Sequence, residues 1–184
     1  MTGARARVLA HLLEHSVRRG DFELKSGRRS SWFIDSKMTI CAPEVMVDVA
    51  SLLLERIPAD VTAIGGLTMG ADGAAFITAG VAATRGRPLR AFSVRKEAKD
   101  HGAGGRISGV LMPGDRVVVT EDTVTRGTSL VEAAEVVVEA GAEVVMLIAV
   151  VDRGGTARAV AAARGWPFDA LFSAPDLGFP YEGA

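Results

Sequence analysis

Five short, largely apolar runs recur along this 184-residue chain, and stretches with helical periodicity separate several of them. These β-rich runs lie at residues 62–66, 89–94, 116–120, 144–151 and 168–173. Strands that are apolar throughout, rather than alternating, are typical of a parallel sheet buried on both faces. Helical stretches at residues 71–84, 130–140 and 156–164 would cover it. The sequence therefore predicts an α/β fold, with a mostly parallel central sheet flanked by helices.

The first third of the chain follows a different pattern. Apolar residues within 4–19 share one helical face, and Pro43 favours a second amphipathic helix that runs to residue 57. Residues 20–40 between them look like a small β-rich addition ahead of the main sheet. Since domains hold about 150 residues, residues 1–184 are expected to form one domain.

Composition excludes several classes of function. A net charge of −1 gives no basic face for nucleic acid, so no nucleic-acid partner is expected. The longest apolar run, residues 144–151, is far shorter than the roughly 20 residues of a membrane span. The single cysteine, Cys41, excludes an internal disulfide and is expected to be a small buried residue. With no visible signal peptide, these features favour a cytoplasmic protein that does not bind membranes.

Residues 117–129 read VVVTEDTVTRGTS, so two acids and a hydroxyl-rich loop follow an apolar strand. The strand is predicted to end before Glu121 and Asp122, and ligands of open α/β sheets bind beyond such ends. Thr128 or Ser129 is expected to cap the next helix, whose free N–H groups and dipole attract an anion. Gly127 would let the backbone approach that anion closely.

The anion predicted at this loop is a single phosphate. The chain has neither the GxxxxGK[ST] sequence of a nucleotide P-loop nor a GxGxxG fingerprint. Two carboxylates beside the phosphate would suit hydroxyl groups or a metal, and a ribose 5-phosphate with Mg²⁺ supplies both. The alternative is an ordinary strand–turn–helix whose acids lie in a solvated loop.

The same stretch closely resembles the phosphoribosyl-pyrophosphate motif of type I phosphoribosyltransferases. Residues 95–105, RKEAKDHGAGG, resemble the mobile catalytic loop of one branch, the orotate phosphoribosyltransferases. Residues 22–35, FELKSGRRSSWFID, resemble the N-terminal hood of that branch, as does the Asp152-Arg153 pair after a strand. The resemblance covers most of the chain. It implies a type I phosphoribosyltransferase fold in which residues 1–40 form the hood and residues 95–114 a mobile catalytic loop.

The resemblance also implies a reaction. Orotate would attack C1 of 5-phospho-α-D-ribose 1-diphosphate, giving orotidine 5'-monophosphate and diphosphate. Mg²⁺ is expected to travel on the diphosphate and ribose hydroxyls rather than in a protein metal site. A homodimer is implied, in which each catalytic loop reaches the other subunit's site.

Site residues follow from the matching positions. The implied catalytic residues are Lys99, His101 and Asp122. The phosphoribosyl pyrophosphate is expected to contact Lys25, Arg95, Lys96, Lys99, His101, Glu121, Asp122, Thr123, Val124, Thr125, Arg126, Gly127, Thr128 and Ser129. Cations of the loop would face the pyrophosphate, while the two acids would accept hydrogen bonds from ribose hydroxyls. A solvated charged loop is the alternative for residues 95–101.

Orotate is expected to contact Lys25, Phe33, Thr125 and Arg153. A guanidinium just past a strand can hold the orotate carboxylate in bidentate fashion, so Arg153 is its predicted partner. Arginine at such a place is otherwise commonly a surface ion-pair partner. Phe33 would cover the base, although it is also a reasonable core residue.

One segment departs from the family. Well-known members carry a pyrophosphate-binding lysine after the strand at 62–66, where this chain has Leu67, Thr68, Met69, Gly70, Ala71 and Asp72. Two other functions keep the 117–129 motif: a purine phosphoribosyltransferase, and a regulator that senses phosphoribosyl pyrophosphate without turnover. The hood and the RKEAKDHG loop favour the orotate enzyme over both.

Overall fold

A six-stranded sheet forms the centre of the computed structural model, which describes residues 3–23, 27, 29–98 and 105–182. Its strand order is β5-β4-β3-β6-β7-β8. The strands are β3 (Ala63–Leu67), β4 (Arg90–Val94), β5 (Ile107–Gly109), β6 (Arg116–Val124), β7 (Glu143–Asp152) and β8 (Phe168–Ser173). All neighbouring pairs are parallel except β4 and β5. The predicted mostly parallel α/β sheet is therefore confirmed.

Helices cover both faces of this sheet. They are α1 (Gly3–His11), α2 (Lys37–Ile40), α3 (Met46–Leu54), α4 (Asp72–Thr84), α5 (Thr128–Glu139) and α6 (Ala157–Ala162). Val118 on β6 packs into the core with α1, α3 and α4. Its neighbours Val117 and Val119 pack into the opposite core with α5 and α6. Successive strand residues point to opposite faces, which explains why β6 is apolar without interruption from Val117 to Val119.

Strand β6 is longer than predicted. It was expected to end before the two acids, but it continues through Glu121 and Asp122 to Val124. Because β7 also extends to Asp152, Val124 still has a partner in the parallel ladder. The prediction was wrong because polar residues normally indicate the end of a strand. Here Glu121 and Asp122 lie within β6, which continues to pair with β7 as far as Val124.

The N-terminal helix is shorter than its apolar pattern predicts. Helix α1 ends at His11, a π-helical turn occupies Leu12–Ser16, and β1 (Val17–Glu23) follows at once. Val17 pairs with Ile34 of β2 (Arg29–Ile34) instead of extending the helix. The second predicted helix also begins later, at Met46, and ends at Leu54.

The hood contains the antiparallel pair β1–β2, which confirms the predicted β-rich addition except at residues 37–40, which are helical. Trp32 on β2 is fully buried and its ring stacks on Phe179, with centroids 4.4 Å apart. Arg7 of α1 bonds Asp48 of α3 at 2.7 Å. Both contacts fix the hood against the main sheet.

Residues 95–114 include the short strand β5, which pairs antiparallel to β4 and was not predicted. Residues 99–104 lie outside the described residues. No helix in the described part of the chain is long and apolar enough to cross a membrane.

Candidate active site

The loop after β6 forms the start of α5. Gly127 adopts a left-handed backbone, with φ of 81°, and stands at the position before the helix, which begins at Thr128. The predicted caps Thr128 and Ser129 are therefore wrong, because both already belong to the first helical turn. Without a side-chain cap, the first N–H groups of this twelve-residue helix have no intrahelical acceptor. They remain available to an anion.

Gly127 is required for packing against helix α6. A β-carbon there would lie 3.2 Å from Ala157 Cα, on helix α6. The glycine thus lets the loop rest on α6 while its φ turns the chain into α5. Gly127 also lines the cavity, and its predicted role in letting the backbone approach an anion stays a prediction.

A cavity of about 770 Å³ opens beside this loop. Its lining comprises Arg18, Phe22, Glu23, Phe33, Glu121, Thr123, Val124, Thr125, Arg126, Gly127, Thr128, Ser129 and Arg153. Residues of the predicted phosphate loop thus share one cavity with two of the predicted orotate contacts, Phe33 and Arg153. The hood residues Arg18, Phe22 and Glu23 were missed, because nothing in their local sequence indicates which strand face meets the cavity.

The two acids at the end of β6 are buried and differ in their hydrogen-bond partners. Burial, followed by the neighbouring Asp122 carboxyl group, raises the pKa of Glu121 to about 9. Asp122 accepts a hydrogen bond from Lys37 Nζ at 2.7 Å and from the Thr123 amide at 2.7 Å. At neutral pH we therefore assign a proton to Glu121.

Lys37 was not predicted as a site residue. It lies on α2 just after the hood strand and also pairs with Asp35 at 3.2 Å. Burial is the largest influence and opposes its charge, but the hydrogen bonds to Asp122 and Asp35 and the attraction of both carboxyl groups together outweigh burial, so the pKa of Lys37 is raised. Nearby, the hydroxyls of Ser36 and Thr123 are 2.7 Å apart. Only the tertiary fold brings residues 35–37 to β6. The charged residues directly after a hood strand were the one sequence signal that this segment could belong to the site.

Arg153 is a buried side chain, 7% exposed, at the end of β7. Its Nη2 donates to Ser30 Oγ and to the Trp32 carbonyl, both at 3.0 Å, and to the Glu182 carboxylate. Its guanidinium carbon lies 4.9 Å from the Trp32 ring centre. The following Gly154 leaves no room for a β-carbon beside the Thr125 carbonyl, so the phosphate loop and the Arg153 loop are in direct contact.

The segment after β3 packs behind the acids. A β-carbon on Gly70 would overlap Glu121 Oε1, so a larger residue there would require the Glu121 side chain to move. Asp72 accepts hydrogen bonds from Thr68 at 2.6 Å and from Ser93 at 2.7 Å, and the Thr68–Met69 peptide bond is cis. These contacts place the segment beside β6, at the same edge of the sheet.

The remaining predicted residues lie elsewhere. Arg95 follows β4 and bonds Ser108 at 3.1 Å, while Lys96 is exposed, and neither lines the cavity. Lys25, Lys99 and His101 lie outside the described residues. Cys41 is exposed rather than buried as expected. In the described ranges, no cluster of three or more His, Cys, Asp or Glu side chains could hold a metal.

Comparison with known proteins gives consistent results. No family model matches the chain. It is 40% identical over 178 residues to an orotate phosphoribosyltransferase of Synechocystis sp., covering 96% of this chain and 90% of that protein. It is similar to a phosphoribosyltransferase structure from Corynebacterium diphtheriae, with a TM-score of 0.86, 34% identity and coverage of 97% and 100%.

A third relative is a Mycobacterium tuberculosis H37Rv orotate phosphoribosyltransferase in complex with 5-phospho-α-D-ribosyl 1-diphosphate. Its TM-score is 0.81 at 32% identity, covering 96% of this chain and 99% of that one. The match spans the hood, the sheet and the cavity-lining loop together, so all of the features above fall within the shared fold.

Proposed function

This chain belongs to the orotate phosphoribosyltransferase family, and we propose on that premise that the cavity beside β6 is its active site. The chain transfers the phosphoribosyl group of 5-phospho-α-D-ribose 1-diphosphate to orotate, yielding orotidine 5'-monophosphate and diphosphate for pyrimidine nucleotide synthesis. One observation supports the location most strongly. A helix N-terminus suited to a phosphate and an arginine suited to a carboxylate line the same cavity.

The loop after β6 would hold the 5-phosphate. Residues 123–129 line the cavity where the first N–H groups of α5 lack intrahelical partners. Hydroxyls of Thr123, Thr125, Thr128 and Ser129 add donors around those amides, and Arg126 adds a cation. The phosphate then places the ribose next to the acids of β6.

The acid pair would bind the ribose. The transition state of glycosyl transfer carries positive charge on the sugar, so a nearby carboxylate stabilises it. Lys37 donates a hydrogen bond to Asp122, and the raised pKa of Glu121 keeps a proton on Glu121 at neutral pH. Asp122 would accept hydrogen bonds from the ribose hydroxyls, while a protonated Glu121 would donate one.

Orotate would lie between the hood and Arg153. Phe33 is 40% exposed and its ring lies 5.8 Å from that of Phe22, so the two offer an apolar cover for a planar base. Arg153 would hold the orotate carboxylate, and Thr125 lies beside it through Gly154. We assign Lys25 to both substrates through the family resemblance, because it lies outside the described residues.

The pyrophosphate would be stabilised by the loop at residues 95–101. Lys99 and His101 are the proposed catalytic cations, with Arg95 and Lys96 as further contacts, and the loop would close over the site of a dimer mate. The acids fit a substrate-carried Mg²⁺ better than a protein-held one, since Glu121 is protonated and Asp122 is paired. Bound Mg²⁺ would neutralise diphosphate charge. A single cysteine and the substrate chemistry favour a cytoplasmic location.

Replacing Arg153 tests the assignment of the base site. Arg153→Ala should raise the KM for orotate by about 10- to 100-fold, since a charge-assisted hydrogen bond contributes roughly 1.5–3 kcal/mol. The KM for phosphoribosyl pyrophosphate should change little. Arg164→Ala is the matched control, because Arg164 forms an exposed ion pair with Glu135 far from the cavity. Equal losses for both substrates would make Arg153 a structural residue.

A further inference from the structure

The C-terminal segment returns to the candidate site after β8. Phe179 stacks on Trp32 of the hood, and the Tyr181 ring covers Gly155, where a β-carbon would come within 2.7 Å. The next residue, Glu182, donates its amide to the Arg153 carbonyl at 3.0 Å. Packing and a backbone hydrogen bond therefore hold this segment next to Arg153, independently of any side-chain charge.

The Glu182 carboxylate meets the hood and Arg153 at one point. It accepts a hydrogen bond from Ser30 Oγ at 2.7 Å and pairs with Arg153 Nη2. The two charged side chains are 14% and 8% exposed, so both are largely out of water. A buried charge is stable only when it is paired and hydrogen-bonded, so each of these groups depends on the other.

The bonds of the Arg153 guanidinium are concentrated on one nitrogen. Ser30, the Trp32 carbonyl and Glu182 all accept from Nη2. Nε is buried and, within residues 3–23, 27, 29–98 and 105–182, has no hydrogen-bond partner. Arg153 also lines the cavity. One corner of the guanidinium is thus fixed by three acceptors while the side chain borders the cavity.

We propose that Glu182 is a positioning residue for orotate selection: it fixes Arg153 through Nη2 so that the remaining guanidinium donors receive the carboxylate of the base. This inference rests on the proposed role of Arg153. Glu182 does not touch the reacting atoms. Its contribution is to hold a long, flexible side chain in one orientation before the substrate arrives, which lowers the entropy lost on binding.

A competing role for Glu182 would predict the opposite change in the KM for orotate. If the Glu182 carboxylate instead occupied the place of the orotate carboxylate, it would compete with the substrate and would have to leave. Three contacts argue against this competing role. The Glu182 amide, its bond to Ser30 and the packing of Tyr181 all fix the segment independently of Arg153's charge.

Steady-state kinetics of Glu182→Ala and Glu182→Gln separate these possibilities. We expect Glu182→Ala to raise the KM for orotate about tenfold, with kcat and the KM for phosphoribosyl pyrophosphate within about twofold of wild type. Glu182→Gln keeps an acceptor oxygen, so its KM should fall between those of wild type and Glu182→Ala. The thermal midpoint is measured for each variant, and Glu135→Ala, which breaks an exposed ion pair, is the control.

The double variant Arg153→Ala/Glu182→Ala completes the cycle. If Glu182 acts through Arg153, adding Glu182→Ala to Arg153→Ala should raise the KM for orotate no further. A lower KM in either single Glu182 variant, an unchanged KM, or equal losses for both substrates would overturn the inference. Arg153→Ala alone reports on the base site, so a selective effect of Arg153 without an effect of Glu182 would leave the proposed function standing.

Discussion

At the scale of the residue, Glu121 and Asp122 show how position changes the chemistry of like side chains. Both are about 7% exposed and adjacent on β6, yet only Asp122 has a cation within bonding distance. Two buried carboxylates so close together cannot both ionise cheaply, so the proton stays on the one without a lysine. Because the pKa of Glu121 differs between the folded and unfolded states, the free energy of unfolding should depend on pH.

Glu121→Gln should reveal this dependence. The ordinary pKa of a glutamate is 4.5 and that of folded Glu121 is about 9, so between these values the folded protein binds more protons than the unfolded chain. The free energy of unfolding should then fall as pH rises, by up to about 1.4 kcal/mol per pH unit for one proton. Glutamine has no such proton, so the variant should become more stable than wild type as pH increases.

Urea unfolding at pH 5, 6, 7 and 8 measures the effect. Glu135→Gln is the matched control, because Glu135 is exposed and lies away from the cavity. Its stability should follow that of wild type across the series. Parallel curves for Glu121→Gln and wild type would show that Glu121 is ionised in the folded protein.

At the scale of the element, the junction between β6 and α5 is where we propose that the 5-phosphate binds. Most of the parallel strands and the main helices followed from apolar periodicity, since burial on both faces leaves a clear pattern. The end of β6 and the end of α1 did not. Val124 stays in the sheet because β7 provides a pairing partner. Val17 leaves the helix because Ile34 of β2 provides one, so both boundaries depend on residues distant in sequence.

Gly127→Ala tests this junction. Alanine in a left-handed conformation costs about 1–2 kcal/mol, and its β-carbon would push the loop away from Ala157. We expect lower stability together with at least about tenfold weaker binding of orotidine 5'-monophosphate, measured by calorimetry. Gly86→Ala is the control, since Gly86 has φ of 73° with open space around it and follows α4.

Both glycine variants should lose stability through backbone strain, Gly127→Ala more because of its contact with Ala157, but only Gly127→Ala should lose binding. If Gly127→Ala binds the product nucleotide as tightly as Gly86→Ala, the loop at residues 123–129 does not hold the 5-phosphate.

At the scale of the whole molecule, the site combines segments that are far apart in sequence. The phosphate loop and Arg153 could be identified from motifs, because each sits directly after an apolar strand. Lys37, Arg18 and Glu182 could not, since only the folded hood and the returning C-terminal segment bring them to β6 and Arg153. The proposed dimer extends this principle, because a loop from one subunit would complete the other subunit's site.

Subunit exchange tests the crossing loop. At orotate concentrations well below the KM of Arg153→Ala, both Lys99→Ala and Arg153→Ala should show little activity. The loss in Lys99→Ala should fall mainly on the chemical step, by about 10²–10³-fold. In a mixed dimer, one active site would contain both substitutions and the other active site would contain neither. Random mixing makes half of the dimers mixed, so activity should approach about a quarter of wild type. No recovery, with exchange shown by mass spectrometry, would place each loop in its own subunit's site.

The choice of base is the central claim, and a single incubation series measures it most directly. The pure protein is mixed with 5-phospho-α-D-ribose 1-diphosphate and Mg²⁺, and orotate, uracil or adenine is added in separate reactions while nucleotide and diphosphate are followed. Uracil is the matched comparison, because it has the same ring without the carboxylate that Arg153 would bind. We predict orotidine 5'-monophosphate and equal diphosphate with orotate, and at least about tenfold slower turnover with uracil and adenine. Turnover of adenine or uracil as fast as orotate, or no turnover of orotate, would contradict the account.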